Sequence, residues 1–145
     1  MFDLSAVEAM WHSAAPCPQW LKGRWIDLLG PDRVFESNGG TEGQTVTVIT
    51  GAEWMPHKGS VGRPVVGEIQ ILDCEGRLVA PGKVGEIFLR RSADSPPAYH
   101  YIGAVTHTRA GGWDSLGDLG WFDEDGYLYL TDRRSDMILV GGANV

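Results

Sequence analysis

Glycine and proline interrupt this chain so often that a bundle of long helices cannot be threaded through it: 20 Gly and 8 Pro fall within 145 residues. Proline removes a backbone donor and glycine supplies turn conformations, so both punctuate. What lies between the breaks is short and rich in β-branched residues. Residues 45–50 read TVTVIT, and further strands are expected at 34–36, 65–72, 85–91, 127–131 and 137–140. The turns Asp73-Cys74-Glu75-Gly76, Pro81-Gly82 and Glu124-Asp125-Gly126 separate them. Residues 92–112 carry no clear period and read as a surface loop.

The start of the chain differs. Residues 4–13 alternate, with Val7, Ala9 and Trp11 against Glu8, Met10 and His12, as an extended segment does. Pro16 and Pro18 then open a helix running to Leu29, with an expected apolar face of Trp20, Leu21, Trp25, Leu28 and Leu29. Gly30-Pro31 stops it. The expected fold class is α+β, mainly antiparallel β: a short αβ segment followed by a distorted β-barrel subdomain.

Composition narrows the function. The net charge of −7 argues against a general nucleic-acid binder. No run of about 18 apolar residues spans a membrane, and residues 1–15 lack the pattern of a secretory signal. Cys17 and Cys74 read as two reduced thiols, which points to the cytoplasm. His12, His57, His100 and His107 do not combine with them at zinc-ligand spacing. Asp123-Glu124-Asp125-Gly126 does not match a calcium loop, and no nucleophile elbow or Gly-Lys-Ser/Thr phosphate loop is present.

Two motifs carry chemistry. In the first, Asn38-Gly39-Gly40-Thr41-Glu42-Gly43, the glycines let backbone approach a ligand and backbone N–H groups can cradle a phosphate. Thr41 can donate to a phosphate oxygen, and Glu42 can hold a magnesium ion. A purely structural turn would use the same residues. In the second, residues 111–145, Asp118 can accept both hydroxyls of a ribose, and Arg133 can reach the same sugar or its phosphate. A turn cap paired with an arginine is the alternative.

Taken in order, the motifs resemble the adenylate-forming (AMP-binding) superfamily, in its acyl-CoA synthetase branch. Asn38-Gly39-Gly40-Thr41-Glu42 is similar to that family's aromatic-Gly-x-Thr-Glu turn. Gly112-Trp113 and Leu116-Gly117-Asp118 match its Gly-Trp and Thr-Gly-Asp pieces, and Asp125-Gly126-Tyr127 its Asp-Gly-Tyr strand. Arg133, Asp136, Ile138 and Gly141-Gly142 match its hinge and the glycine turn after it. Ser13-Ala14-Ala15-Pro16, Gly59-Ser60-Val61-Gly62-Arg63-Pro64 and Gly85-Glu86-Ile87 are smaller matches between these.

The resemblance implies a carboxylic acid, ATP and coenzyme A as small-molecule partners, and an acyl-adenylate intermediate. It implies Thr41 on the α-phosphate, Glu42 on Mg2+, and Asp118 and Arg133 on the ribose. Asn38, Gly39 and Gly40 would line the adenine and acyl pocket, Ser135 would be the hinge, and Gly141 and Gly142 would serve the CoA step. It also implies residues 1–43 as the tail of an α/β subdomain, 44–132 as a β-barrel subdomain, and 133–145 as the hinge and the start of a C-terminal domain.

Departures are specific. Asn38 replaces the stacking aromatic, Leu116 a threonine, and Ser135 the usual Asp or Lys. The family's lysine-bearing phosphate loop and its C-terminal catalytic lysine have no counterpart in these residues. A chain ending at Val145 just after Gly141-Gly142 reads as cut, so a fragment inactive on its own is expected. The stretch Thr50-Gly51-Ala52-Glu53-Trp54 and the following His57-Lys58 resemble synthetases for hydrophobic acids, fatty and bile-acid-like ones included. Exposed Trp11, Trp20 and Trp25 would favour a homo-oligomer. A non-catalytic β-barrel interaction module and a luciferase-like oxidative enzyme remain the competing readings.

Overall fold

A computed structural model of the protein describes residues 3–15, 17–40, 42–91, 107–133, 139–140 and 143–144, with backbone alone at 132–133 and in the last two pairs. The first sheet runs β1 (Met10–Ser13), β2 (Val34–Asn38), β3 (Val46–Thr50), β4 (Arg63–Val66) in spatial order. β1 and β2 are parallel, which demands a crossover, and α1 (Gln19–Leu29) supplies it. The other pairs of this sheet are antiparallel.

The second sheet is antiparallel throughout. It comprises β5 (Glu68–Leu72), β6 (Gly85–Arg90), β7 (His107–Arg109), β8 (Trp113–Ser115), β9 (Asp118–Phe122) and β10 (Leu128–Arg133). Its order is β10-β9-β6-β8-β7, with β5 also on β6. Two short strands, β11 (Leu139–Val140) and β12 (Ala143–Asn144), pair with each other. The class is the α+β, mainly antiparallel one expected. Among the described residues, no helix is long and apolar enough to cross a membrane.

Several local expectations are corrected. α1 turns Lys22 and Ile26 inward, while Trp20 (72% exposed) and Leu28 (59%) face outward. The buried stripe is therefore 22–26, with Trp25 and Leu29 packed at its side. Of residues 4–13 only the last four form a strand. Its register against β2 sets Met10 beside Val34 and His12 beside Glu36, so Met10 and His12 face in and Trp11 stands outside, stacked on Phe35 at 4.8 Å.

The single strand expected at 65–72 is two strands. Gly67, at φ +73°, bends the chain between the sheets, and a Cβ there would overlap Gln44 O and come within 2.8 Å of Arg90 O. β7 lies inside the expected loop; 92–106 are outside the described residues. A four-residue helix, α2 (Gly51–Trp54), follows β3, held by a capping box. Glu53 N–H donates to Thr50 Oγ1 (3.2 Å) and Thr50 N–H to Glu53 Oε2 (3.0 Å).

Ile26, Val34, Ile49, Trp54 and Tyr127 form the core beneath α1. Strand alternation gives β6 two buried faces: Ile87 and Leu89 pack with Ile71 and Leu128, and Phe88 packs with Leu72 and Trp113. The sheets are joined at Gly62 and Leu128. Leu128 N–H donates to Gly62 O (2.8 Å), and Val61 N–H donates to Leu128 O (2.9 Å).

Asp123 organises the turn entering β10. Its Oδ1 accepts from Asp125 N–H (3.0 Å) and Tyr127 N–H (2.8 Å). Its Oδ2 accepts from Tyr129 Oη (3.2 Å) and lies 3.0 Å from His57 Nδ1. Burial alone would raise its pKa, but the Tyr127 N–H, His57 and Tyr129 together hold it below the ordinary 3.8. A carboxyl depressed on folding stabilises above its unfolded pKa and ceases to as pH falls through the folded one. Asp123→Asn should therefore lose about 1–2 kcal/mol at pH 7. In urea titrations the gap to the parent chain should shrink below about pH 4.

Candidate functional site

β2 ends at Asn38, and the chain turns at once. Gly43 N–H donates to Gly40 O (3.0 Å), closing a tight turn over residues 40–43. The turn is packed as well as bent. A Cβ on Gly39 would approach Thr45 O to 2.8 Å, and one on Gly40 would collide with the Glu42 carboxylate and lie 3.1 Å from Leu116 Cδ1. Gln44 then anchors the turn to the second sheet, its Nε2 donating to Asp114 Oδ2 (2.7 Å).

That contact sets Leu116-Gly117-Asp118 against the glycine turn. Ser115 Oγ donates to Glu86 Oε1 (2.7 Å) and accepts from Gly117 N–H (3.1 Å), fixing the backbone just before Asp118. Asp118 opens β9, and Arg133 faces it across the β9–β10 ladder. The two motifs, distant in sequence, thus meet.

Between them runs a cleft of about 600 Å3. Asn38 and Asp118 line it together with Ala14, Ala15, Glu36 and Trp54. Its volume falls within the range of small-molecule pockets. Of the residues singled out in the sequence, Asn38 and Asp118 line this space, and Gly39, Gly40 and Glu42 form the adjoining turn. Thr41, Ser135, Gly141 and Gly142 lie outside the described residues. Glu42 is half-buried. No group of three metal-ligating side chains occurs among the described residues.

Sequence reasoning missed the polar floor of the cleft. Lys22 is 1% exposed and Glu36 is 7% exposed. Lys22 Nζ donates to Glu36 Oε2 and lies 5.0 Å from the Trp54 ring centre. His12 Nε2 stands 3.2 Å from the same carboxylate oxygen. Burial pulls the Lys22 ammonium below its ordinary pKa, against the opposing pull of Glu36. Burial, and then the Glu36 charge, push the Cys17 thiol up, so Cys17 stands on the wall as a neutral thiol rather than a nucleophile. No local pattern marked this floor: α1 also carries Arg24 and Asp27, both exposed, so nothing in the helix singles out Lys22 as the buried charge.

The model of the AMP-binding enzyme family matches residues 1–94. A 2-succinylbenzoate–CoA ligase of Bacillus cereus (strain AH820) is 32% identical over 142 residues, covering 97% of this chain and 29% of that ligase. A long-chain-fatty-acid–CoA ligase of Salmonella typhimurium is 31% identical over 144 residues, covering 99% of this chain and 26% of its own length. The o-succinylbenzoate CoA synthetase of Bacillus subtilis, solved with its acyl-adenylate intermediate, superposes with a TM-score of 0.77 at 30% identity. That match covers 97% of this chain and 29% of the synthetase. The same synthetase has been solved with ATP and a magnesium ion (TM-score 0.69, 30% identity, 93% and 28% covered). The chain therefore spans under a third of the length of these relatives.

Proposed function

The chain belongs to the AMP-binding enzyme family, and from that membership we propose that it is part of an ATP-dependent acyl-CoA synthetase, carrying one side of the nucleotide cleft. The observation that carries this reading is the meeting of the Asn38–Glu42 turn with Asp118 around one cleft. In this reading Asp118 accepts the ribose hydroxyls, and Arg133, opposite it, serves the same sugar. Thr41 donates to the α-phosphate, and Asn38, Gly39 and Gly40 border the base and acyl group.

The half-buried Glu42 carboxylate suits magnesium, which takes one or two protein carboxylates and fills its other positions from phosphate and water. Bound there, the metal would neutralise phosphate charge. The work of the chain's own groups is positioning and electrostatic stabilisation. Residues 1–43 act as the tail of an α/β subdomain, 44–132 as the β-barrel subdomain and 133–145 as the hinge, with Ser135 the pivot and Gly141-Gly142 serving the CoA step. Trp11 and Trp20 expose apolar surface, through which the chain self-associates.

These 145 residues hold no lysine-bearing phosphate loop, so the reading makes them inactive alone. The test has two arms on the purified chain. A non-hydrolysable acyl-adenylate analogue with a medium-length acyl group should bind at least about tenfold more tightly than AMP, because it fills both halves of the cleft. Exchange of pyrophosphate into ATP should stay at background. Exchange above background would refute inactivity. An analogue bound no better than AMP would favour the rival reading, a non-catalytic interaction module.

A further inference from the structure

The glycine turn and Asp118 belong to different sheets. β2 and β3, which flank the turn, lie in the first sheet, and Asp118 opens β9 of the second. A nucleotide that touches both is well held only while the sheets keep one separation. Gln44 and Asp114 span that separation, Nε2 donating to Oδ2 at 2.7 Å. We propose that Gln44 and Asp114 are positioning residues for the ribose end of the cleft. They hold the glycine turn at the distance from Asp118 that keeps both ribose hydroxyls on its carboxylate. The proposal rests on the nucleotide reading above and deepens it.

Each partner is fixed from its own side. Gln44 directly follows Gly43, which closes the turn, and is 5% exposed. Its main-chain carbonyl packs against Gly67, where a Cβ would overlap it. Asp114 lies on β8 between Leu89 of β6 and Thr108 of β7. Between Asp114 and Asp118 the backbone is pinned by Ser115, through its bonds to Glu86 and Gly117. A shift at the pair therefore reaches the turn on one side and Asp118 on the other. Neither side chain lines the cleft, so the pair acts through these neighbours.

The effect should be selective. Leu116 also packs across the gap, its Cδ1 3.1 Å from where a Gly40 Cβ would stand. Apolar packing is not directional and tolerates small slips. An amide–carboxylate bond is directional and charge-assisted, and it weakens steeply off its geometry. Without it the base and phosphate can still follow the glycine turn, while the ribose drifts from Asp118. The loss then falls on the ribose hydroxyls.

Calorimetric titration of AMP and of 2′-deoxy-AMP into the 145-residue chain tests this, with the ratio of the two dissociation constants as the readout. The deoxynucleotide lacks one of the two hydroxyls, so the parent chain should favour AMP by at least about tenfold. Gln44→Met keeps the length and loses the donor, and should bring the ratio below about threefold, with 2′-deoxy-AMP affinity nearly unchanged. Should Gln44→Met fail to fold, Asp114→Ala removes the acceptor at a half-buried position and should lower the ratio alike. Gln44→Glu/Asp114→Asn reverses donor and acceptor across the same gap and should restore the parent ratio. A pair that serves stability alone would lower the melting temperature and leave the ratio untouched. That result in folded Gln44→Met or Asp114→Ala overturns the proposal, as does a reversed pair that binds like Gln44→Met. If the parent chain binds neither nucleotide, the nucleotide reading falls as well; if it binds both equally, the ribose contact and this inference fall while nucleotide binding stands.

Discussion

Gly62→Ala should lose about 3–5 kcal/mol of stability and lower the melting temperature by roughly 10–15 °C. Gly62 has φ +98°, a region that residues with a Cβ enter only at a cost. The added Cβ would also collide with the Val48 carbonyl group. Relief would require β3 and the 60–62 segment to part, and that segment holds the bonds that Gly62 and Val61 make with Leu128. Gly82→Ala is the control. Its φ is +77°, and nothing lies within 4 Å of the new methyl. It should lose about 1 kcal/mol, the conformational penalty alone. Equal losses in the two variants would mean that Gly62 is not the crowded junction described.

Lys22→Met should be nearly as damaging, at about 3 kcal/mol by urea unfolding. Removing one member of an enclosed ion pair leaves the other charge stranded, a loss usually of about 3–5 kcal/mol. The lower end applies because Glu36 borders the cleft and His12 stands 3.2 Å away. Lys22→Met/Glu36→Gln should recover most of the loss, since no charge is then left uncompensated. A double variant as unstable as Lys22→Met would assign the effect to lost packing against Trp54 instead.

The legible parts of the fold were those with local causes. Pro18 and Gly30-Pro31 bracket α1 because proline and glycine act on their own backbone. The buried side of α1 was misjudged because Trp20 and Leu28 are as apolar as any core residue, whereas the inward position at 22 is a lysine. Only its partner on β2 makes that burial tolerable, and a partner on another element leaves no mark in helical periodicity. The passage between sheets at Gly67 hides in an apolar run for a similar reason, since the pattern shows burial and not which sheet buries it. The capping box of α2 is different: Thr50 and Glu53 stand at the telling spacing and could have been read.

The site was legible as motifs and not as geometry. Glycines beside a hydroxyl and a carboxylate mark a ligand turn, and Asp118 marks a ribose acceptor, because few side chains suit those tasks. That Arg133 faces Asp118 depends on a register shift between Leu130 and Asp132, which no local pattern encodes. Glu36 was passed over because a lone carboxylate in a short strand reads as the exposed face until the strand is seen to be buried by α1 on one side and to border the cleft.

The central claim is that the cleft between the Asn38–Glu42 turn and Asp118 takes the adenosine part of a nucleotide. Titration of AMP into the 145-residue chain and into Asp118→Ala, followed by calorimetry, tests it most directly. The account predicts saturable binding of one AMP per chain, weakened at least about tenfold in Asp118→Ala, since a carboxylate accepting two ribose hydroxyls contributes at least that much. No saturable binding to the parent chain, or equal affinity in the two, would contradict it.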